Sequence, residues 1–319
     1  MERGTLKIKN RIHKSVMAKE VIEYLRPHPE GTYVDATLGL GGHTEAILES
    51  SNYQAKVIGF DVDKETLSVS KRELSAFTSH VVFVNENFSE IDKVLENLGI
   101  NEVDGIVADL GMSSYQLEMS GRGFSFRRAE TLDMRMDTEL SGTAYDLINE
   151  KDEEEISKIL KEYGEEKWSK KIAREIARFR RKKPIETSVE LADIVSRAIP
   201  RKFHPRGIHP ATKTFQAIRI AVNDELENLE IFLEKAVPLL KAGGRIAVIS
   251  FHSLEDRLVK NMFKKFSSPC ICPPQLPICM CGRKGILKIL TRSPLTPSTE
   301  EVLNNPRSRS AKLRIGERI

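Results

Sequence analysis

The feature that most limits how this chain can fold is the rhythm of its first third, where short β-rich runs alternate with helical patterns. Such alternation is the signature of βαβ units and hence of a parallel sheet. Residues 32–37, 56–61, 81–85 and 103–109 read as four strands, and helices fit at 43–49, 64–77 and 89–98. After Asp109 the rhythm breaks, and about a hundred residues pass with helical periodicity and no convincing strand. There Ile156, Ile159, Leu160 and Tyr163 recur at helical spacing, as do Ile172, Ile176 and Phe179. Alternation then resumes. The expectation is an amphipathic helix over 223–240, a stop at Lys241-Ala242-Gly243-Gly244 and a strand over 245–250. A helix over 254–266 and late strands at 286–290 and 312–318 complete the pattern. The simplest architecture is an α/β domain, a mostly parallel sheet with helices on both faces, made of residues 1–114 and 212–319. An all-helical insertion at 115–211 splits it.

A chain of 319 residues, 40% hydrophobic and 30% charged, can bury a core without disulfides or metals and is neither disordered nor membrane-like in composition. No stretch approaches the roughly 18 apolar residues of a spanning helix, and the N-terminus leads into charged residues, so a cytoplasmic protein with no membrane partner is expected. A net charge of +4 permits a nucleic-acid partner without demanding one. The distribution says more. Lys and Arg outnumber acids over 174–206, whereas 150–155 is acidic apart from Lys151. A solvated helix face would produce the same run.

Asp35-Ala36-Thr37-Leu38-Gly39-Leu40-Gly41-Gly42-His43 places glycines between the first strand and its helix, where the backbone can approach a ligand at a helix N-terminus. The spacing is not the G-x-G-x-x-G of dinucleotide enzymes. Asp61 closes the second strand, where an acid can take hydrogen bonds from ribose hydroxyls or simply cap the next helix. Phe88 is placed to stack on an adenine, and Asp109 ends the fourth strand at the edge where open α/β sheets bind ligands.

Asp109-Leu110-Gly111-Met112-Ser113-Ser114-Tyr115-Gln116 begins a series of longer motifs. It continues with Arg122-Gly123-Phe124-Ser125-Phe126, Leu132-Asp133-Met134-Arg135-Met136, His209-Pro210-Ala211-Thr212-Lys213-Thr214-Phe215-Gln216 and Ser250-Phe251-His252-Ser253-Leu254-Glu255-Asp256-Arg257. Together they closely resemble the bacterial 16S ribosomal RNA cytosine-N4 methyltransferases. The likeness runs from His13-Lys14-Ser15-Val16-Met17 to Asn305-Pro306-Arg307-Ser308-Arg309. The resemblance implies a class I methyltransferase fold, Rossmann-like, with S-adenosyl-L-methionine as cofactor. It implies methyl transfer to the exocyclic N4 of one cytidine in the decoding region of 16S rRNA, in the small ribosomal subunit. Its cofactor contacts fall on Gly41, Gly42, His43, Asp61, Phe88, Asp109 and Gln116, each of the expected residue type.

Methyl transfer from a sulfonium is an in-line displacement, so the protein mainly aligns the amino nitrogen and excludes water. Cytosine N4 is a poor nucleophile, and an oxygen acceptor on its hydrogens would pyramidalise it and take the proton. Asp109 resembles loosely the acidic or amide residue that opens the catalytic loop of amino-methyltransferases, although no Pro-Pro-aromatic follows. The sequence leaves open whether Asp109 acts on the base or only on the cofactor, with Ser113 or His252 making the polar contact. Arg122, Arg127, Arg128 and Arg135 are equally open between ion pairs and RNA. A small-molecule methyltransferase would explain the crevice but not the basic insertion; a non-catalytic RNA-binding assembly factor would retain the fold without the reaction. Oligomeric state is open between monomer and dimer. Cys270, Cys272, Cys279 and Cys281 are the only cysteines and sit in one Pro-rich loop, expected near the active face. Paired thiols suit a soft metal, but C-x-C is tighter than the usual C-x₂₋₄-C, so no metal ligand is assigned. Ordinary thiols or a condition-dependent disulfide compete with it, and any metal would be structural.

Overall fold

The computed structural model describes residues 15–205, 207–268, 270, 272, 278, 280–282 and 284–319. His13 and Cys279 lie outside them. Seven strands form one sheet: β1 (Thr32–Asp35), β2 (Lys56–Phe60), β3 (Val81–Val84), β4 (Val103–Asp109), β5 (Leu240–Ser250), β6 (Leu287–Ile289) and β7 (Lys312–Arg318). Their order is β3-β2-β1-β4-β5-β7-β6. The first five pair in parallel, and β7 enters antiparallel beside β5 and beside β6. This is the class I methyltransferase arrangement, with the order reversing between β1 and β4.

Both faces of the sheet are covered, which is why its strands read as unbroken apolar runs. On one face Val34, Ile58, Ile106 and Val248 pack against Phe232 and Phe263 from the helices Glu225–Ala236 and Ser253–Ser267. On the other Tyr33, Val57, Val107 and Ile249 pack against Val21, Ile47 and Leu67 from the helices Ala18–Leu25, Gly42–Ser50 and Lys64–Glu73.

The long stretch after Asp109 holds an irregular segment over 119–143, tied to Thr187 by an isolated bridge at Thr131, and then helices including Glu153–Gly164 and Ser169–Arg180. Ile156, Leu160, Ile172 and Ile176, picked out by their spacing, are fully buried in a core of their own. Phe215, Ala217 and Ile218 of the helix Thr212–Asn223 belong to that same core. Among the described residues no helix is long and apolar enough to cross a membrane.

Two expectations change at the return to the sheet. The helix expected over 223–240 is present but shorter, Glu225–Ala236, and is separated from a preceding helix, Thr212–Asn223, by Asp224 in the left-handed region (φ 47°). The Asn223 amide explains the break: it accepts from Met136 N and donates to Met134 O, both at 2.7 Å, so the chain turns where the insertion is tied down. The stop at 241–244 is the start of β5. Leu240 pairs with Val103, and a register shift before Gly105 absorbs the positive φ of Gly243.

Candidate active site

A cavity of about 420 Å³ opens at the carboxyl ends of β1, β2 and β4, where the strand order reverses. Of the expected cofactor contacts, Gly42, His43, Asp61, Phe88, Asp109 and Gln116 line it. Gly41 does not; it shapes the turn. Its φ of 81° is open to glycine, and its amide closes onto Leu38 O at 2.7 Å. A Cβ at Gly42 would collide with Ser15, whose hydroxyl also lines the cavity.

Asp61 follows β2 directly. Its two oxygens accept from Gly39 N at 3.1 Å and Asp63 N at 2.9 Å, which locks the glycine turn to the second strand. Burial, against those two amide bonds and helped by the Asp63 and Asp35 carboxylates, pushes its carboxyl up to about 7. Phe88 stands edge-on to Phe232 at 5.0 Å, fixed from behind by the core while its ring faces the cavity.

Asp109 takes Thr37 Oγ1 on its own amide at 2.6 Å and presents Oδ2 to His43 Nε2 at 3.3 Å. Its Oδ1 is buried and has no hydrogen-bond partner among the described residues, as is also true of His43 Nδ1. Burial opposes a charge on His43, but Asp109, with Asp35 behind it, outweighs burial and holds the imidazole above its usual value. The result is a carboxylate fixed at the cavity wall, with Oδ2 on His43 and Oδ1 turned inward.

Ser113 and Gln116 are bound to each other. Ser113 Oγ caps the helix Ser114–Glu118 by accepting from Gln116 N at 3.1 Å, and Gln116 Oε1 accepts from Ser113 N at 2.9 Å. Gln116 Nε2 donates to Asp63 Oδ2 at 3.1 Å, so its amide is used at both ends. His252 does not line the cavity. It caps the helix Ser253–Ser267, with Nε2 3.0 Å from Glu255 Oε1, and it is Glu255 that reaches the cavity. Burial would raise the Glu255 carboxyl, but His252 and Arg219 outweigh it and hold it below its usual value.

Two groups of site residues escaped the sequence. Asp63 is a hub, 2% exposed, that caps the helix Lys64–Glu73 and pairs with the buried Arg122. Its capping role is legible in Asp63-Lys64-Glu65; its partner 59 positions away is not. Asn223, Asp224, Glu225 and Asn228 also line the cavity, with Arg219 clamping Glu225 through two bonds of 2.7 and 2.8 Å. Nothing in their spacing points there. Of the arginines left open, Arg122 and Arg135 are ion-paired, to Asp63 and Asp133, while Arg128 donates to Glu118 O at 2.9 Å.

The sequence profile of the MraW methylase family matches residues 10–319. The protein of Clostridioides difficile named ribosomal RNA small subunit methyltransferase H is 49% identical over 307 residues, 96% of this chain and 99% of that one. The protein of the same name from Geobacter sulfurreducens is 51% identical over 307 residues, with the same coverage of 96% and 99%. Among solved structures, a putative rRNA-methylase from Clostridium thermocellum aligns over 95% of each chain at 13% identity, with a TM-score of 0.45.

Proposed function

The chain belongs to the MraW methylase family, and from that premise we propose that it methylates the exocyclic N4 of a cytidine in the decoding region of 16S rRNA, within the small ribosomal subunit. The observation that carries the reading is the full-length similarity to proteins named small-subunit ribosomal RNA methyltransferases. The cavity fits the S-adenosylmethionine this requires: an acid ends β2, an aromatic ring faces in, and a glycine turn opens onto a helix N-terminus. When bound, that cofactor supplies the electrophilic methyl.

The chain's own residues then divide the work. Asp61 accepts from the ribose hydroxyls, Phe88 packs on the base, and the Gly41-Gly42 turn gives backbone approach. His43 holds Asp109 by Oδ2, and the Asp109 carboxylate accepts a hydrogen bond from the target amino group and takes its proton, directly or through water. Gln116 acts indirectly, by fixing Ser113 and Asp63. Ser113 offers its hydroxyl to the base, and His252 is a positioning residue acting through Glu255. We assign RNA recognition to the insertion, residues 115–211 extended by the helix Thr212–Asn223 that shares its core, with residues 1–114 and 224–319 as the methyltransferase domain, and place the reaction in the cytoplasm.

The test is tritium transfer from labelled S-adenosylmethionine to unmodified small subunits, set against a metabolite mixture, followed by mass mapping of the product. Label in one cytidine of the small-subunit RNA supports the reading. Label in metabolites, or none in either, overturns it.

A further inference from the structure

Cys270, Cys272 and Cys281 play no part in that reaction, and the fold places them away from the cavity. The helix Ser253–Ser267 starts beside the carboxyl end of β5 and runs 15 residues, about 22 Å, back along the sheet. β6 then begins at Leu287, opposite Arg318 at the end of antiparallel β7. The chain therefore departs at Ser268 and returns at Gly285 on the amino-terminal edge of the parallel strands, opposite the cavity. This corrects the expectation of a loop near the active face. The two ends of the loop are pinned together: Ile286 N donates to Phe266 O at 2.8 Å, and a Cβ on Gly285 would collide with the Ser267 carbonyl.

Between those ends the described residues provide no apolar core. Ile278 and Met280 are 76% and 81% exposed. Yet the sulfurs of Cys270, Cys272 and Cys281 lie within 4.8 Å of one another. Cys270 and Cys281, from the two arms of the loop, approach to 3.7 Å, and Met280 N donates to Cys272 Sγ at 3.4 Å. A bonded pair would need about 2.05 Å. A tetrahedral zinc centre with Zn–S bonds of about 2.3 Å has S···S edges of about 3.8 Å, the spacing found between Cys270 and Cys281. An amide N–H on sulfur also favours the thiolate that a metal needs.

We propose that Cys270, Cys272 and Cys281 bind one zinc ion. Pairing by C-x-C, short for the usual zinc spacing within one arm, suffices when the site is closed by two arms already held together at Ser267 and Ile286. The site lies opposite the cavity, so the ion is structural: it crosslinks a loop whose closure entropy the fold's core does not offset.

The full chain, purified in reductant without chelator, is given zinc in competition with a chromophoric chelator. It should take up about one equivalent with sub-micromolar affinity, releasing protons as the thiols ionise. Cobalt in place of zinc should give thiolate-to-metal charge-transfer absorption. Cys270→Ser with Cys281→Ser should weaken zinc at least about 100-fold while S-adenosylmethionine affinity on the same sample stays within about twofold. Uptake below about a tenth of an equivalent by the wild-type chain, with its four thiols titrating after denaturation, overturns the site. So does unchanged zinc affinity in the double variant, or a disulfide between these cysteines under the same reductant.

Discussion

Burial leaves Asp61 in a charge state that makes the cofactor assignment testable by pH alone. Its carboxyl, pushed up to about 7, sits between two backbone amides and close to the Asp63 and Asp35 carboxylates. Ribose hydroxyls donate to the carboxylate, so binding selects the ionised form and releases a proton. With the ligand-free value near 7, about nine-tenths of the sites are protonated at pH 6, and affinity there should be about tenfold, or 1.4 kcal/mol, below its plateau above pH 8. The sign for stability of the ligand-free protein is the reverse. A folded value raised above the unfolded 3.8 contributes stability that is complete below about pH 4 and is lost as pH rises through 7. Titration calorimetry at pH 6, 7 and 8, in two buffers of different ionisation enthalpy, reads affinity and proton release together. Asp61→Asn keeps an acceptor oxygen and removes the titration, so its profile should be flat and its affinity at pH 8 at least about tenfold weaker. That comparison separates Asp61 from His43, whose imidazole Asp109 also holds above its usual value. Wild-type affinity that is level from pH 6 to 8 with no proton released would refute the reasoning.

Asp109→Asn should lower the methylation rate at least about 100-fold while cofactor affinity changes only a few-fold; equal losses in both would make Asp109 a binding residue only. Within the basic run, Arg178 pairs with Glu175 and Lys183 with Glu190, and Arg180 donates to Ile148 O, whereas the side chains of the exposed Arg181 and Lys182 make no such bond among the described residues. Arg181→Gln with Lys182→Gln should therefore flatten the log-log salt dependence of RNA binding by about 1.4 to 1.8, without touching cofactor affinity; an unchanged slope returns the run to a solvated face. Arg122→Ala strands the buried Asp63 carboxylate and should cost about 3 to 5 kcal/mol in urea denaturation, and a loss under about 1 kcal/mol would show the pair to be dispensable.

The sequence by itself determined the elements whose residues carry their own instructions. Strands buried on both faces must be apolar throughout, so β1 to β4 were legible, and the 3.6-residue period marked Ile156, Leu160, Ile172 and Ile176 as core. The site's first line was legible for a related reason. Asp61 and Asp109 stand at strand ends and the glycines in a strand-to-helix turn, and topology alone carries those places to one crevice. The tertiary structure decided whatever depends on a distant partner. Asp63 and Arg122 meet across 59 positions, and Asn223 breaks a helix because Met134 and Met136 arrive beside it. His252 turns to Glu255 rather than to the cavity, and the thiol loop leaves from the far edge of the sheet because β7 runs antiparallel. Local periodicity reports burial and backbone shape, which each segment senses along its own length. Ion pairs, helix breaks and facing side chains are set by neighbours that only the folded chain brings within a few ångströms.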